Sequence, residues 1–119
     1  MVFKKATKVE KKKPISLDLL NAKQAKELRT ELSAITCGEV APRQKAKVIG
    51  QISSIRIAPR GQSHWLEVVI KDGTGIVNGW FFGKKSIPGM VPGANVLFEG
   101  LVQFDEGEMT IANPYYEFI

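Results

Sequence analysis

The sequence predicts an all-β domain, a five-stranded Greek-key barrel preceded by a short N-terminal α-helix. Three observations carry that expectation. From Lys45 onward, apolar residues alternate with polar ones at the period of two that a half-buried strand requires. Turn-forming glycines and prolines divide this region into five such runs. Glycine also sits inside the runs, at Gly50, Gly79 and Gly100, as expected where a tightly coiled strand turns a barrel corner.

The elements follow in order. Residues 1–15 are lysine-rich, contain Pro14 and are expected to be a disordered basic tail. Residues 16–40 hold a helix and a connection. "SLDLLNAKQAKELRTEL" carries a thin apolar stripe near a period of 3.6, in which Leu20, Ala25, Leu28 and Leu32 recur, and Asp18 or Asn21 can cap its start. So thin a stripe leans on a larger body or on a partner. Gly38 and Pro42 mark the link into the barrel, assigned to residues 41–119.

In the first strand, "KAKVIGQISSIRIAPR", Val48, Gly50 and Ile52 share a face. The apolar series restarts at Ile55 and Ile57 out of phase by one, which implies a bulge or bend near Ser53-Ser54. In "HWLEVVIKD", Leu66, Val68 and Ile70 point inward; Trp65, Glu67, Val69 and Lys71 point outward. In "GIVNGWFF" the inward set is Val77, Gly79 and Phe81, leaving Ile76, Asn78, Trp80 and Phe82 outside. "NVLFEGLVQFD" turns Val96, Phe98, Gly100 and Val102 inward, and "EMTIANPYYEFI" closes the chain with Met109 and Ile111 inward. Five strands, a bent first strand and a longer connection between the third and fourth point to the OB-fold. An SH3-like barrel or an open sandwich is the structural alternative.

Several function classes fall away. The chain has 119 residues, which suits one domain and leaves little core for a deep catalytic cavity. No run of about 18 apolar residues is present, so no membrane span is expected, and the basic N-terminus lacks the apolar stretch of a secretory signal. Cys37 is the one cysteine, which excludes an internal disulfide and a Cys-rich zinc site and suits a reducing cytoplasm. Cys37 with His64 is a poor nucleophile pair, since a lone thiol more often fills space. Paired carboxylates, a metal cluster and an activated nucleophile are all missing, so the chain is expected to be no enzyme and to need no cofactor. "DGTGIVNG" lies between two strands, whereas a phosphate cradle opens a helix; it reads as a hairpin.

The charge is unevenly placed. The net charge is +5, and residues 1–13 alone carry six lysines against Glu10. Residues 41–85 hold eight bases against Glu67 and Asp72, while residues 86–119 hold five acids and neither Lys nor Arg. A one-sided basic face attracts a polyanion.

"VIGQISSIRIAPRG…LEVVIKDGTGIVNGWFF" and "PGANVLFEGLVQF…GEMTIANPYYEF" resemble the OB-fold wedge domain of RecG-type branch-migration helicases and the anticodon-binding-type OB domains of class II aminoacyl-tRNA synthetases. The matching positions are Val48, Gly50 and Ile52; Leu66, Val68 and Asp72 to Gly75; Phe81-Phe82; Pro92-Gly93, Val96 and Gly100; and Pro114, Tyr116 and Glu117. The chain is also similar to small stand-alone actinobacterial OB-fold nucleic-acid-binding proteins with a helix, a barrel and an "NP-x-YE" ending. The resemblance covers about residues 40–119 and rests on turn and core positions, so it implies a fold. With no P-loop or motor domain, helicase activity does not carry over; nor does a synthetase reaction.

The expected function is therefore nucleic-acid binding, of single-stranded or branched DNA rather than RNA, with little sequence specificity. Trp65 and Trp80 fall outward on adjacent strands, on the face that holds oligonucleotides in OB-folds, where indoles stack on bases. Arg56 and Arg60 flank the turn between strands one and two, and Lys71, Lys84 and Lys85 lie on or beside the same face, all placed to meet phosphates. The acidic "FDEGEM" loop opposes a polyanion at the other rim. His64 reads as a strand-edge residue and Tyr115-Tyr116 as barrel packing. The alternative is a protein-interaction module that uses the N-terminal helix or the barrel face.

Overall fold

The computed structural model describes residues 22–61 and 63–119. The predicted basic tail and the start of the predicted helix, with Asp18 and Asn21, lie outside the described residues. Helix α1 spans Ala22–Leu32. Ala25, Leu28, Arg29 and Leu32 are half-buried and the polar positions between them are exposed, as the thin stripe requires. Ser33 ends the helix in the left-handed region (φ 60°), and the Ala34 N–H reaches back to the Arg29 carbonyl at 2.7 Å.

Six strands follow: β1 (Lys45–Arg60), β2 (Ser63–Lys71), β3 (Ile76–Phe82), β4 (Asn95–Asp105), β5 (Glu108–Ala112) and β6 (Tyr115–Phe118). They run β1-β2-β3-β5-β4-β6, and β1 also pairs with β4, which closes the sheet. β3 and β5 are parallel; the other pairs are antiparallel. The predicted fifth strand is thus two strands, one pairing with each half of β4. Asn113, with φ 49°, and Pro114 interrupt it, because a left-handed residue followed by an imide cannot continue a ladder.

β1 serves two neighbours in turn. Lys45 to Gln51 pair with β4, and Gln51 to Arg60 pair with β2. The register slips between Ile52 and Ser54, at the predicted bulge. At the slip, the Ile52 N–H donates to the Ala94 carbonyl and its carbonyl accepts from the Gly93 N–H, both at 2.8 Å. The connection entering β4 therefore satisfies the backbone just where β1 changes partners. Ile57, expected inside, is 48% exposed although it stands opposite buried Leu66. Along this stretch β1 pairs with β2 alone, so its other edge gives Ile57 no strand to pack against.

The interior is filled by Val48, Ile52, Leu66, Val68, Ile70, Val77, Phe81, Val96, Phe98, Val102 and Ile111, all buried. Each such side chain contributes about 1.5–3 kcal/mol relative to exposure. Ile87 and Met90, from the connection between β3 and β4, join this cluster. The Phe98 ring lies edge-on to Phe81 at 5.8 Å. It also presses on the backbone of β3: a Cβ at Gly79 would stand 2.6 Å from Phe98 Cε2.

The "DGTG" segment has a structural role. Asp72 Oδ1 accepts from the Thr74 N–H (2.9 Å) and hydroxyl (2.7 Å), and Oδ2 accepts from the Cys37 N–H at 2.9 Å. Thr74 Oγ1 in turn accepts from the Gly38 N–H at 2.8 Å. The β2–β3 turn thereby holds the 3₁₀ turn Cys37–Glu39 against the barrel. Burial pushes the Asp72 carboxyl up, but the hydrogen bonds from Cys37 and Thr74 outweigh it and hold the group below its ordinary value. Burial first, then the Asp72 charge, pushes the Cys37 thiol far above its ordinary range, so it stays protonated and unreactive.

Two outcomes follow. A folded pKa below the unfolded one means that the Asp72 clamp is fully stabilising above the ordinary carboxylate range and fades as pH falls below about 4. Asp72→Ala lowers stability by about 1–2 kcal/mol at neutral pH, discounted for partial exposure, and urea titrations show the difference shrinking in acid. Gly79→Ala overpacks the core and costs about 1–3 kcal/mol, part of which Phe98→Leu restores in thermal denaturation of the double variant.

Candidate nucleic-acid interface

The outer face of β1, β2 and β3 is fixed by register, because opposed residues of an antiparallel ladder share a face. Ala58, Trp65 and Phe82 form one rank; Arg56, Glu67 and Trp80 the next; Ser54, Val69 and Asn78 a third; Gln51, Lys71 and Ile76 a fourth. β5 extends two of them, placing Ala112 beside Trp80 and Thr110 beside Asn78.

Three aromatic rings gather at one end of this face. Trp65 lies edge-on to Phe82 at 5.2 Å and to Trp80 at 6.2 Å. The two indoles are half-buried, while Phe82 is 52% exposed. Offset and edge-on rings of this kind hold one another in place by their quadrupoles. Asn113 fixes the same end of β3: its N–H donates to the Trp80 carbonyl at 2.6 Å and its Oδ1 accepts from the Phe82 N–H at 2.9 Å.

A polar network crosses the middle. Arg56 Cζ lies 5.7 Å from the centroid of Trp80, and Arg56 Nε donates to Glu67 Oε1. Glu67 Oε2 accepts from Asn78 Nδ2 at 3.1 Å, and the same nitrogen donates to Glu108 Oε1 at 2.5 Å. Glu67 is 5% exposed and Asn78 1%. A carboxylate tolerates such burial only when paired and hydrogen-bonded, as it is here.

Of the residues singled out in the sequence, Arg56, Trp65 and Trp80 come together. Lys84 and Lys85 are exposed just past Phe82, where the Gly83 N–H donates to the His64 carbonyl at 2.8 Å. Lys71 is on the same face but pairs with Ile76, six residues along β3 from Phe82 or about 20 Å, so it stands at the other end of the platform. The backbone of Arg60 ends β1, and its side chain lies outside what is described. Tyr116 packs on Phe81 at 5.7 Å, whereas Tyr115 is 57% exposed and donates its hydroxyl to Glu117. Among the described residues no group of His, Cys, Asp and Glu side chains can hold a metal ion, and no helix is long and apolar enough to cross a membrane.

Sequence reasoning passed over Phe82, Glu67, Asn78, Glu108 and Asn113. Phe82 was legible, since the alternation placed it outward beside Trp65. The Glu67–Asn78–Glu108 contacts join three strands, and no local pattern announces them.

No protein-family model matches the sequence, and neither does any curated protein. Solved structures do match. A domain of replication protein A from Methanococcus maripaludis aligns with a TM-score of 0.60 at 15% identity, covering 72% of this chain and 94% of that one. The fold is the OB-fold. RecG bound to a three-way DNA junction aligns at 0.53 and 16% identity, over 92% of this chain but 18% of RecG. Yeast Stn1 and Ten1 align at 0.51 and 12% identity, over 63% of this chain and 42% of that one. The likeness to a RecG-type domain is one of fold.

Asn78→Leu removes the amide shared by Glu67 and Glu108 and leaves Glu67 Oε2 buried without that donor. Stability falls by about 1–3 kcal/mol in urea denaturation.

Proposed function

We propose that this chain binds nucleic acid through the outer face of β1, β2 and β3, and that its ligand is single-stranded or branched DNA rather than RNA, held with little sequence specificity. The observation that carries the reading is the aromatic cluster of Trp65, Trp80 and Phe82, edged by Arg56 on one side and by Lys84 and Lys85 on the other. Bases stack on aromatic faces without regard to sequence, and cations beside them meet the backbone. Phe82 offers the most open ring of the three. The solved structures of the same fold, one of them RecG bound to a three-way DNA junction, add support. The acids of the β4–β5 turn, Asp105 and Glu106, confine the bound strand to the lysine side of the face, since like charges repel. The six lysines of residues 1–13 add contacts to phosphate and steepen the salt dependence.

A protein-docking role has one observation in its favour. Leu101 and Tyr115, both more than half exposed, share the outer surface of β4 and β6.

One titration separates the two readings. Addition of single-stranded oligonucleotide at low salt quenches the fluorescence of Trp65 and Trp80, and Phe82→Ala weakens binding about 5- to 150-fold. Absence of both quenching and binding at low salt overturns nucleic-acid binding and leaves the docking role.

A further inference from the structure

The nucleic-acid reading leaves Glu67 unexplained. A carboxylate at the centre of a face that meets a polyanion adds repulsion, and Glu67 is also 5% exposed, so it loses hydration as well. What it holds accounts for it. Its Oε1 accepts from Arg56 Nε and its Oε2 from Asn78 Nδ2, while the Arg56 guanidinium lies over the Trp80 ring. The guanidinium is thus held twice, by a hydrogen bond from Nε and by the Trp80 ring 5.7 Å from its Cζ. The Arg56 side chain remains 62% exposed. With Nε committed to Glu67, its two Nη groups supply the donors left for an anion. A free arginine must give up several rotatable bonds to make such a contact, and this one has largely given them up before the ligand arrives.

We propose that Glu67 is a positioning residue for nucleic acid. It holds Arg56 over Trp80 so that the Nη edge receives one phosphate of the strand, next to a base stacked on Phe82 and Trp65. Trp80 is accordingly sheathed by Arg56 and serves as its floor, and the open stacking surface belongs to Phe82. This rests on the nucleic-acid reading above and assigns a phosphodiester to the Arg56 edge.

The test sets two effects of opposite sign against each other. Glu67→Gln keeps the size of the side chain and removes a negative charge from the face. An acid that merely repels the ligand gives tighter binding when neutralised. A positioning acid gives weaker binding, because Arg56 loses its anchor.

Affinity for a labelled oligothymidylate is measured over a salt series for the full chain, Glu67→Gln, Arg56→Lys and the double variant. Each single change is expected to weaken binding about tenfold. The log–log salt slope of Glu67→Gln is expected to fall by about one, a readout that lost stability alone does not move. The double variant is expected to bind no worse than about the weaker single, since both remove one contact.

Unchanged or tighter binding by Glu67→Gln overturns the proposal, and so does simple additivity in the double variant. Should Glu67→Gln not fold, Arg56→Lys at its exposed site decides alone: it keeps the charge but loses the planar fork, and undiminished affinity overturns the proposal. Absence of binding by the unaltered chain overturns this proposal together with the reading beneath it. Binding that Glu67→Gln leaves intact overturns this one only.

Discussion

A closed barrel of short strands requires one strand that can leave one neighbour and take up another, and in this chain β1 is that strand. Its first half pairs with β4 and its second half with β2, with Gln51 belonging to both ladders. Such a change of partner leaves backbone groups unmatched at the bend, and buried unmatched groups are costly. The Gly93 and Ala94 backbone meets the Ile52 N–H and carbonyl there. Closure therefore depends on the long connection between β3 and β4 as much as on the strands. That connection also sends Ile87 and Met90 into the core.

Once β1 is bent, register does the rest. The slip at Ile52–Ser54 puts Arg56 on the same face as Glu67, Trp80 and Trp65. Without that one-residue offset the side chains beyond it change faces, and the guanidinium points into the barrel. The outer face is thus a product of the same irregularity that closes the sheet. Its acid, amide and guanidinium come from three consecutive strands that the β1–β2–β3 register sets side by side, and closure onto β5 adds Glu108 to the same network.

Alternation made most of the barrel legible. The period-two pattern placed Leu66, Val68, Ile70, Val77 and Phe81 inside and Trp65, Trp80 and Phe82 outside, and the phase slip after Ile52 marked the bulge. These features are local, and a strand displays them to its own neighbours in sequence. What stayed hidden was non-local. Glu67 reads as an ordinary outward acid until Arg56 and Asn78 close on it. The split between β5 and β6 turns on one left-handed residue, Asn113, whose hydrogen bonds go to β3. Ile57 failed for a related reason: alternation reports which side of a strand a residue takes, and not whether a neighbouring strand is there to cover it.

The close approach of Phe98 to Gly79 gives the molecule a mechanical property. β3 carries Asn78 and Trp80 on one side, and between them its backbone rests directly on an aromatic ring of the core, with no side chain as cushion. Core rings sit in tight, barely compressible packing. The middle of the outer face is therefore backed by an anvil, and a molecule pressing on it meets the stiffness of the interior. Under the nucleic-acid binding proposed above, it is then the strand that bends to the protein, which contributes a shape set when it folded.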